Sequence, residues 1–464
     1  MNQHDHPSPA RFESRGHLAV AAVLALAFVT GGGASDYGFG DALTQWLALP
    51  LLVWAALVLQ ATPGSAMRRA AIGASLLVVA TVAVQQLPLP TGVWEAVDVR
   101  SALARDLHAA GVDAPRQLWS LSPLASERGL WSLLPALAVF LAMLVVPVRQ
   151  QRALLLLMVA LSATSLLLGY LQLGAPQDSL LNPFPEWSPA LGGFFANPNH
   201  QATALALSLV AIVAMLLDDW GRDEPSLPRW LRFGLAAVGI LLLASLPLTG
   251  SRAAFLLAVL ALVAVPFVVR GGRRRPATSA PRAWVTRLLL AGLAVGAIAV
   301  AIGWLRYDME EEVRWSAAQA TAAMGTGHAP WGAGLGSFVA WFDQSAPASL
   351  FQRSYFNHAH NEYAQWWLES GVAGLASLLA VLGVLLACYP RRTRNTADRG
   401  VAVAAWLGCM VLLLHSLVDY PLRTPALMTV AGLLAGIVVA RRLAVGARRP
   451  QAGVASVKGV PAPV

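Results

Sequence analysis

The sequence has 464 residues, of which 57% are hydrophobic and 12% charged, far more apolar content than a soluble core of that length requires. The net charge of +9 does not signal a nucleic-acid-binding domain, because the basic residues are scattered between apolar runs. The two cysteines, Cys388 and Cys409, fall inside apolar runs, which argues against a disulfide framework or a thiolate metal site.

A polar lead, Met1 to His17, precedes an apolar run ending in Gly31-Gly32-Gly33-Ala34-Ser35. That pattern resembles a cleaved signal peptide, but the many later apolar runs favour an uncleaved first helix. A bilayer-crossing helix needs about 20 mostly apolar residues, since lipid cannot satisfy backbone polar groups. Hydrophobic runs predict twelve such helices, near 18–35, 42–60, 69–87, 130–147, 153–173, 198–217, 233–249, 252–269, 286–305, 364–388, 401–418 and 424–440. The expected fold is therefore all-α: a polytopic integral membrane protein of about 12 transmembrane helices, with a long periplasmic loop between helices 9 and 10.

An even count puts both termini on one side. Most of the 33 basic residues fall on that side and most of the 24 acids on the other, so the termini are expected in the cytoplasm. The domain organisation follows: a cytoplasmic segment 1–17, one transmembrane domain 18–440, and a cytoplasmic tail 441–464 rich in small residues. The longest connections, 88–129, 174–197 and 306–363, all fall outside, and long loops in compact proteins usually carry function.

Arg252 follows Leu246-Pro247-Leu248-Thr249-Gly250-Ser251. It reads either as an interfacial anchor or as a cation aimed at an anionic group in the bundle, for which a forked permanent charge is suited. Arg314 lies in Asp308-Met309-Glu310-Glu311-Glu312-Val313-Arg314-Trp315, the acidic start of an outer helix, where Glu310 and Glu311 stand at pairing distance along the chain. Trp331-Gly332-Ala333-Gly334-Leu335-Gly336 has the glycines of a phosphate cradle without a preceding strand or lysine, so a tight turn is the better reading.

The richest stretch runs from Phe356 to Leu375. His358 and His360 admit three readings: solvated interfacial imidazoles, a zinc site with His328 and Glu362, or a general base. A helix beginning near Asn361 would align Glu362, Gln365 and Glu369 on one face, and Glu369 inside a span needs a partner such as His360 or an arginine. Gly371 and Gly374 would admit a close neighbouring helix. On the same side lie Asn197-Pro198-Asn199-His200 and His415-Ser416-Leu417-Val418-Asp419-Tyr420-Pro421-Leu422-Arg423, in which Asp419 and Arg423 could simply pair with each other.

In order and spacing these segments resemble the O-antigen ligase and polymerase superfamily. The likeness covers roughly Asn197 to Pro425 and rests on Phe195-Ala196-Asn197-Pro198-Asn199-His200, Thr249-Gly250-Ser251-Arg252, Arg314 with Pro330 to Gly336, and His358-Ala359-His360-Asn361-Glu362 through Glu369 to Leu375. The resemblance implies a membrane glycosyltransferase of the bacterial inner membrane with a periplasmic active site. It would be inverting, independent of metal and without a cofactor. It implies an undecaprenyl-diphosphate-linked glycan donor and a glycan or lipid A-core acceptor, with no nucleic acid involved. By that likeness Arg252 and Arg314 hold the diphosphate and His360 activates the acceptor hydroxyl. His358, Asn361, Glu369, Asn199, His200, Asp419 and Arg423 are expected to bind substrate. Either histidine of the pair fits as base, and Asn361 immediately after it favours His360. Ligation, polymerisation and transfer to protein fit the motifs equally. The competing expectation from residues alone is a transporter or flippase for an anionic or lipid-linked solute.

Overall fold

A computed structural model describes residues 16–34, 38–62, 64–112, 117–176, 178–184, 191–220, 222, 224–270, 309–350, 356–391 and 398–447. The described chain is helical. In order it forms α1 (Gly16–Thr30), α2 (Phe39–Ala61), α3 (Ala66–Ala83), α4 (Asp98–Ala109), α5 (Pro123–Met143), α6 (Gln151–Gln172) and α7 (Pro198–Trp220). It continues through α8 (Arg229–Ser245), α9 (Arg252–Arg270), α10 (Met309–Gly327), α11 (Phe338–Ser345), α12 (Glu362–Ala387), α13 (Arg399–His415) and α14 (Pro425–Ala447).

Among the described residues, nine helices are long and apolar enough to cross a membrane: α2, α3, α5, α6, α7, α8, α9, α12 and α14. The chain is a multi-pass membrane protein. The apolar helices α1 and α13 are shorter, at 15 and 17 residues, and the span expected at 286–305 lies outside the described residues. The expected count of twelve is thus supported for nine. The fourth span starts earlier than hydropathy places it, because Pro123 at the first helical position pre-sets the backbone and draws the polar turn before Leu130 into α5.

Two packing centres organise the bundle. Helix α7 is almost wholly buried and packs against α6, α8, α9 and α13, while α5 packs against α2, α3 and α14. Small residues set the close approaches: a Cβ on Gly432 of α14 would lie 2.3 Å from the Ala136 carbonyl oxygen of α5. At one end of the bundle Arg152 and Arg222 both engage Asp398. Arg441 donates there to the Gln151 side chain at 2.8 Å and the Asp398 carbonyl at 2.7 Å, joining α6, α7, α13 and α14.

The opposite end carries the polar motifs, and there α12 is broken. Gly371 has φ 54° and ψ −141° inside the helix, which frees carbonyls in an apolar setting where an unmet polar group is costly. The glycine-rich loop meets that need. Ala333 N–H donates to the Leu368 carbonyl at 2.7 Å, Gly334 N–H to the Glu369 carbonyl at 3.0 Å, and Val372 N–H to the Pro330 carbonyl at 3.0 Å. Gln85 adds a bond from Nε2 to the Glu369 carbonyl and accepts from Leu335 N–H. The loop is therefore better read as a structural clamp than as a phosphate cradle, because the N–H groups of Gly332, Ala333, Gly334 and Leu335 are spent on protein. Gly371 likewise serves to break the helix, not to admit a neighbouring one.

Arg100 of α4, fully buried, fixes the loop from outside by donating to the carbonyls of Gly332 (2.8 Å) and Trp119 (2.6 Å) with its guanidinium 5.5 Å from the Trp94 ring centre. Burial pushes this guanidinium down to about 10, so it stays charged at neutral pH. A Cβ on Gly371 would lie 2.1 Å from the Pro330 carbonyl oxygen, and positive φ adds strain of about 1–3 kcal/mol. Gly371→Ala is expected to lower the melting temperature of the detergent-purified protein, followed by tryptophan fluorescence. An unchanged melting temperature would contradict this account of the break.

Candidate active site

Four segments meet at the broken-helix end, each held by a local rule. Asn197 caps α7, its Oδ1 accepting from Asn199 N–H at 2.9 Å, with Pro198 next in the first turn. This places His200 third in the helix, facing inward and fully buried. Asn361 caps α12 in the same way, accepting from Ala364 N–H at 2.9 Å, while its Nδ2 donates to the Leu417 carbonyl at 2.8 Å. Both polar ends of that side chain are thus committed to the fold. His360, just before the cap, adopts φ 51°, a left-handed conformation that costs a non-glycine residue about 1–2 kcal/mol. That turn aims its ring at the α13–α14 connection.

Asp419, in that connection, is 1% exposed and lies between two imidazoles. Its Oδ1 is 3.6 Å from His200 Nε2 and 3.7 Å from His360 Nδ1. Burial alone would push its carboxyl up, but the two imidazoles outweigh burial and hold it well below the usual carboxylate range. Tyr420 is the hub of the cluster: its ring centre is 4.4 Å from that of His358, 4.8 Å from His200 and 4.9 Å from His360. Asn197 Nδ2 donates to its hydroxyl at 3.4 Å. Burial and the Asp419 charge push the phenol up, and Asn197 and the Arg314 charge oppose them. Behind this layer the Thr203 hydroxyl and His415 Nδ1 are 2.7 Å apart.

Arg423 turns the other way. Its Nη1 donates to Glu369 Oε2 at 2.7 Å and its Nε is 3.7 Å from Glu362 Oε2. Asp419 and Arg423 therefore do not pair with each other, because the turn between them sends one to the histidines and the other to the carboxylates. Burial works against the Arg423 charge, and the two glutamates more than restore it. Glu369, fully buried, also accepts from Gln365 Nε2 at 3.0 Å. The same Gln365 nitrogen is 3.1 Å from His358 Nδ1, and His358 Nε2 is 3.1 Å from the Ala34 carbonyl oxygen. Loss of water around the ring and then the Arg423 charge push the His358 imidazole down to about 3, so it is neutral at physiological pH.

Arg252 opens α9, half-buried, and α9 packs against α7 and α13, whose near ends carry His200 and His415. Arg314 lies on α10, half-buried, close enough for its charge to act on Tyr420. The side chains of Glu310 and Glu311, expected beside it, lie outside the described residues. Asn199 sits half-buried one residue before His200, its carbonyl accepting from the Thr203 hydroxyl at 2.8 Å. Among the described residues, no group of three or more His, Cys, Asp or Glu is arranged to hold a metal ion. His200, His358 and His360 face one phenol ring instead of a common point.

Several buried polar atoms at this end have no hydrogen-bond partner among the described residues: both nitrogens of His200, His360 Nδ1, Asp419 Oδ2, His415 Nε2 and Arg423 Nη2. Such groups are costly in an interior and concentrate where function requires them. Tyr420, Gln85 and Arg100 take part in this arrangement and were not singled out by sequence. Tyr420 had a signal in its position beside Asp419, whereas Gln85 and Arg100 act through partners remote in the chain.

On the far side of Arg423 a cavity of about 1070 Å³ opens between α3, α5, α12 and α14. Its polar lining includes His358, Asp41, Glu362, Gln365, Glu369, Arg423 and Arg128, and its shaft is lined mainly by apolar residues, with Ser75, Ser132 and Ser377 among them, down to Leu385 and Val439.

Residues 237–379 match the family model described as O-antigen ligase, a finding that supports the O-antigen ligase superfamily for this chain. The matched stretch includes Arg252, Arg314, His358, His360, Asn361 and Glu369; Asn199, His200, Asp419 and Arg423 join the site from beyond it. A search of curated proteins found no match.

Proposed function

We propose that the protein is a glycosyltransferase of the O-antigen ligase and polymerase type, moving a glycan from a polyprenyl diphosphate to an acceptor hydroxyl on the periplasmic side of the bacterial inner membrane. The observation that carries this reading is Asp419 set between His200 and His360, at the end of the bundle where orphaned polar atoms collect and where Arg314 acts. A carboxylate beside an imidazole orients the ring and stabilises its charged form, which is what a general base needs as it takes a proton.

In the reaction the acceptor oxygen bonds to the anomeric carbon as the bond from that carbon to the diphosphate oxygen breaks. The acceptor proton passes to His360, and the electron pair leaves with the diphosphate. Attack opposite the leaving group inverts the anomeric centre. Arg252 and Arg314 neutralise the charge that grows on the diphosphate, so the leaving group departs without a proton and without a metal. His358, held neutral with its two ring nitrogens engaged by Gln365 and the Ala34 carbonyl, stands beside the acceptor and shapes its site.

The break in α12 favours a second reading, since discontinuous helices mark transporters. Against it, the carbonyls of Leu368 and Glu369 freed at the break are taken by the glycine-rich loop, so that backbone is not offered to a solute. His360→Ala and Arg252→Ala are expected to remain folded in membranes and to lower consumption of undecaprenyl-diphosphate glycan by about 10²–10⁴-fold. Full turnover by either variant would sink the mechanism. Scrambling of lipid-linked sugar by the purified protein without any transfer would establish the carrier reading.

A further inference from the structure

The base and the carboxylate beside it belong to different elements, so their 3.7 Å separation is set by whatever joins those elements. His360 precedes α12, and Asp419 lies in the α13–α14 connection, which the first turn of α12 grips on both flanks. On the near flank Glu362 N–H donates to the Ser416 carbonyl at 2.9 Å, Asn361 Nδ2 to the Leu417 carbonyl at 2.8 Å and the Tyr363 hydroxyl to the Leu413 carbonyl at 2.6 Å. On the far flank the grip is the mostly buried Glu362 side chain. Its Oε1 accepts from Leu422 N–H at 2.6 Å, and its Oε2 is 3.7 Å from Arg423 Nε.

Glu362 stands two residues after His360, and Leu422 three after Asp419, so one side chain spans the gap between the two segments that carry the pair. The start of α12 does not itself require this carboxylate. Asn361 already caps that end, and an acid serving only the partial positive charge of a helix start has no cause to reach across to another segment. Nor does Arg423 depend on it for a counter-charge, since Glu369 accepts from Arg423 Nη1 at 2.7 Å. What Glu362 alone adds is a short, charge-assisted bond to the Leu422 backbone, on the side of Asp419 away from the other three bonds. Reach matters there more than charge: a side chain shorter by one methylene withdraws its oxygen from bonding range of Leu422 N–H.

We propose that Glu362 is a positioning residue for the transfer reaction, holding Asp419 against His360 through its bond to Leu422 N–H. This rests on the glycosyl-transfer reading above and deepens it, because it names what sets the geometry of the base. Glu362 acts through Asp419 and takes no part in the bonds made and broken.

Turnover is measured on the full chain in nanodiscs, with a polyprenyl-diphosphate-linked glycan as donor and either the same lipid-linked glycan or a lipid A-core glycan as acceptor. Glu362→Gln keeps an oxygen at the same reach and drops the charge, Glu362→Asp keeps the charge and shortens the reach, and Glu362→Ala removes both. Glu362→Asp and Glu362→Ala are expected to lower kcat by about 10²-fold with both KM values held within about three-fold, while Glu362→Gln loses less than about ten-fold. In the Asp419→Asn background Glu362→Asp is expected to cost less than about three-fold more, because residues that act as a unit are not additive. Aspartate retaining more activity than glutamine would make charge the role, and a rise in KM alone would make Glu362 a substrate contact. Equal losses with and without Asp419 would make it act independently, and each of these results overturns the proposal. Should Glu362→Ala fail to fold, the ranking of the glutamine and aspartate variants still decides.

Melting temperatures of Glu362→Asp, Asp419→Asn and the double variant close a second cycle that needs no turnover. Their losses are expected to be smaller together than the sum of the two, since a freed connection no longer holds Asp419 beside the imidazole. Additive losses would overturn the positioning role even with transfer established. Absence of transfer by the unaltered protein would instead sink the glycosyl-transfer reading, and the melting cycle would still be read.

Discussion

Arg423→Met is expected to destabilise the protein by about 3–5 kcal/mol, because it leaves the fully buried Glu369 without its ion-pair partner. The size of the effect comes from the stranded charge more than from the lost attraction. The double variant Arg423→Met with Glu369→Gln is therefore expected to recover most of the stability, since no charge is then buried alone at that position. Thermal or denaturant unfolding of the four proteins in one detergent gives the coupling directly. Additive losses would show that the pair at 2.7 Å is incidental. Activity need not return with stability, because the same two side chains line the mouth of the cavity.

Asp419→Asn is expected to leave the bundle folded but to lower transfer by about 10²–10⁴-fold, as the amide cannot stabilise the imidazolium that forms on His360. The variant also gives a pH signature. A carboxyl held well below its ordinary value contributes stability that is present above the unfolded-state value of about 3.9 and is lost as pH falls through the lowered value. The stability gap between the unaltered protein and Asp419→Asn should therefore be full at neutral pH and close only on acidification below about 4. A gap that closes between pH 5 and 7 would place the titrating group elsewhere.

Much of this architecture was legible in the sequence because a bilayer leaves few options. Apolar runs gave most helix positions, and the alignment of Glu362, Gln365 and Glu369 on one face follows from helical spacing once Asn361 is seen as a cap. The partnerships were harder to read. Asp419 and Arg423 sit at a spacing that invites pairing, yet the intervening turn at Pro421 to Arg423 separates them. The glycine-rich loop looked like either a ligand cradle or a simple turn, and its actual task depends on a helix break that hydropathy cannot show. Nor could pattern reveal Tyr420 as the ring on which three histidines converge, since those contacts join segments far apart in sequence.

The carboxylate that completes the proposed base lies in the connection between the last two helices, while His200 opens a helix near the middle of the chain. During synthesis the earlier helices, the arginines and the His358-His360 pair all reach the membrane before Asp419 does. A partly inserted chain would thus carry the cations and the imidazole of the proposed mechanism without the carboxylate beside them. On the proposed mechanism, competence for transfer arrives only once the connection between α13 and α14 is in place, so insertion of that hairpin becomes a step that switches the site on.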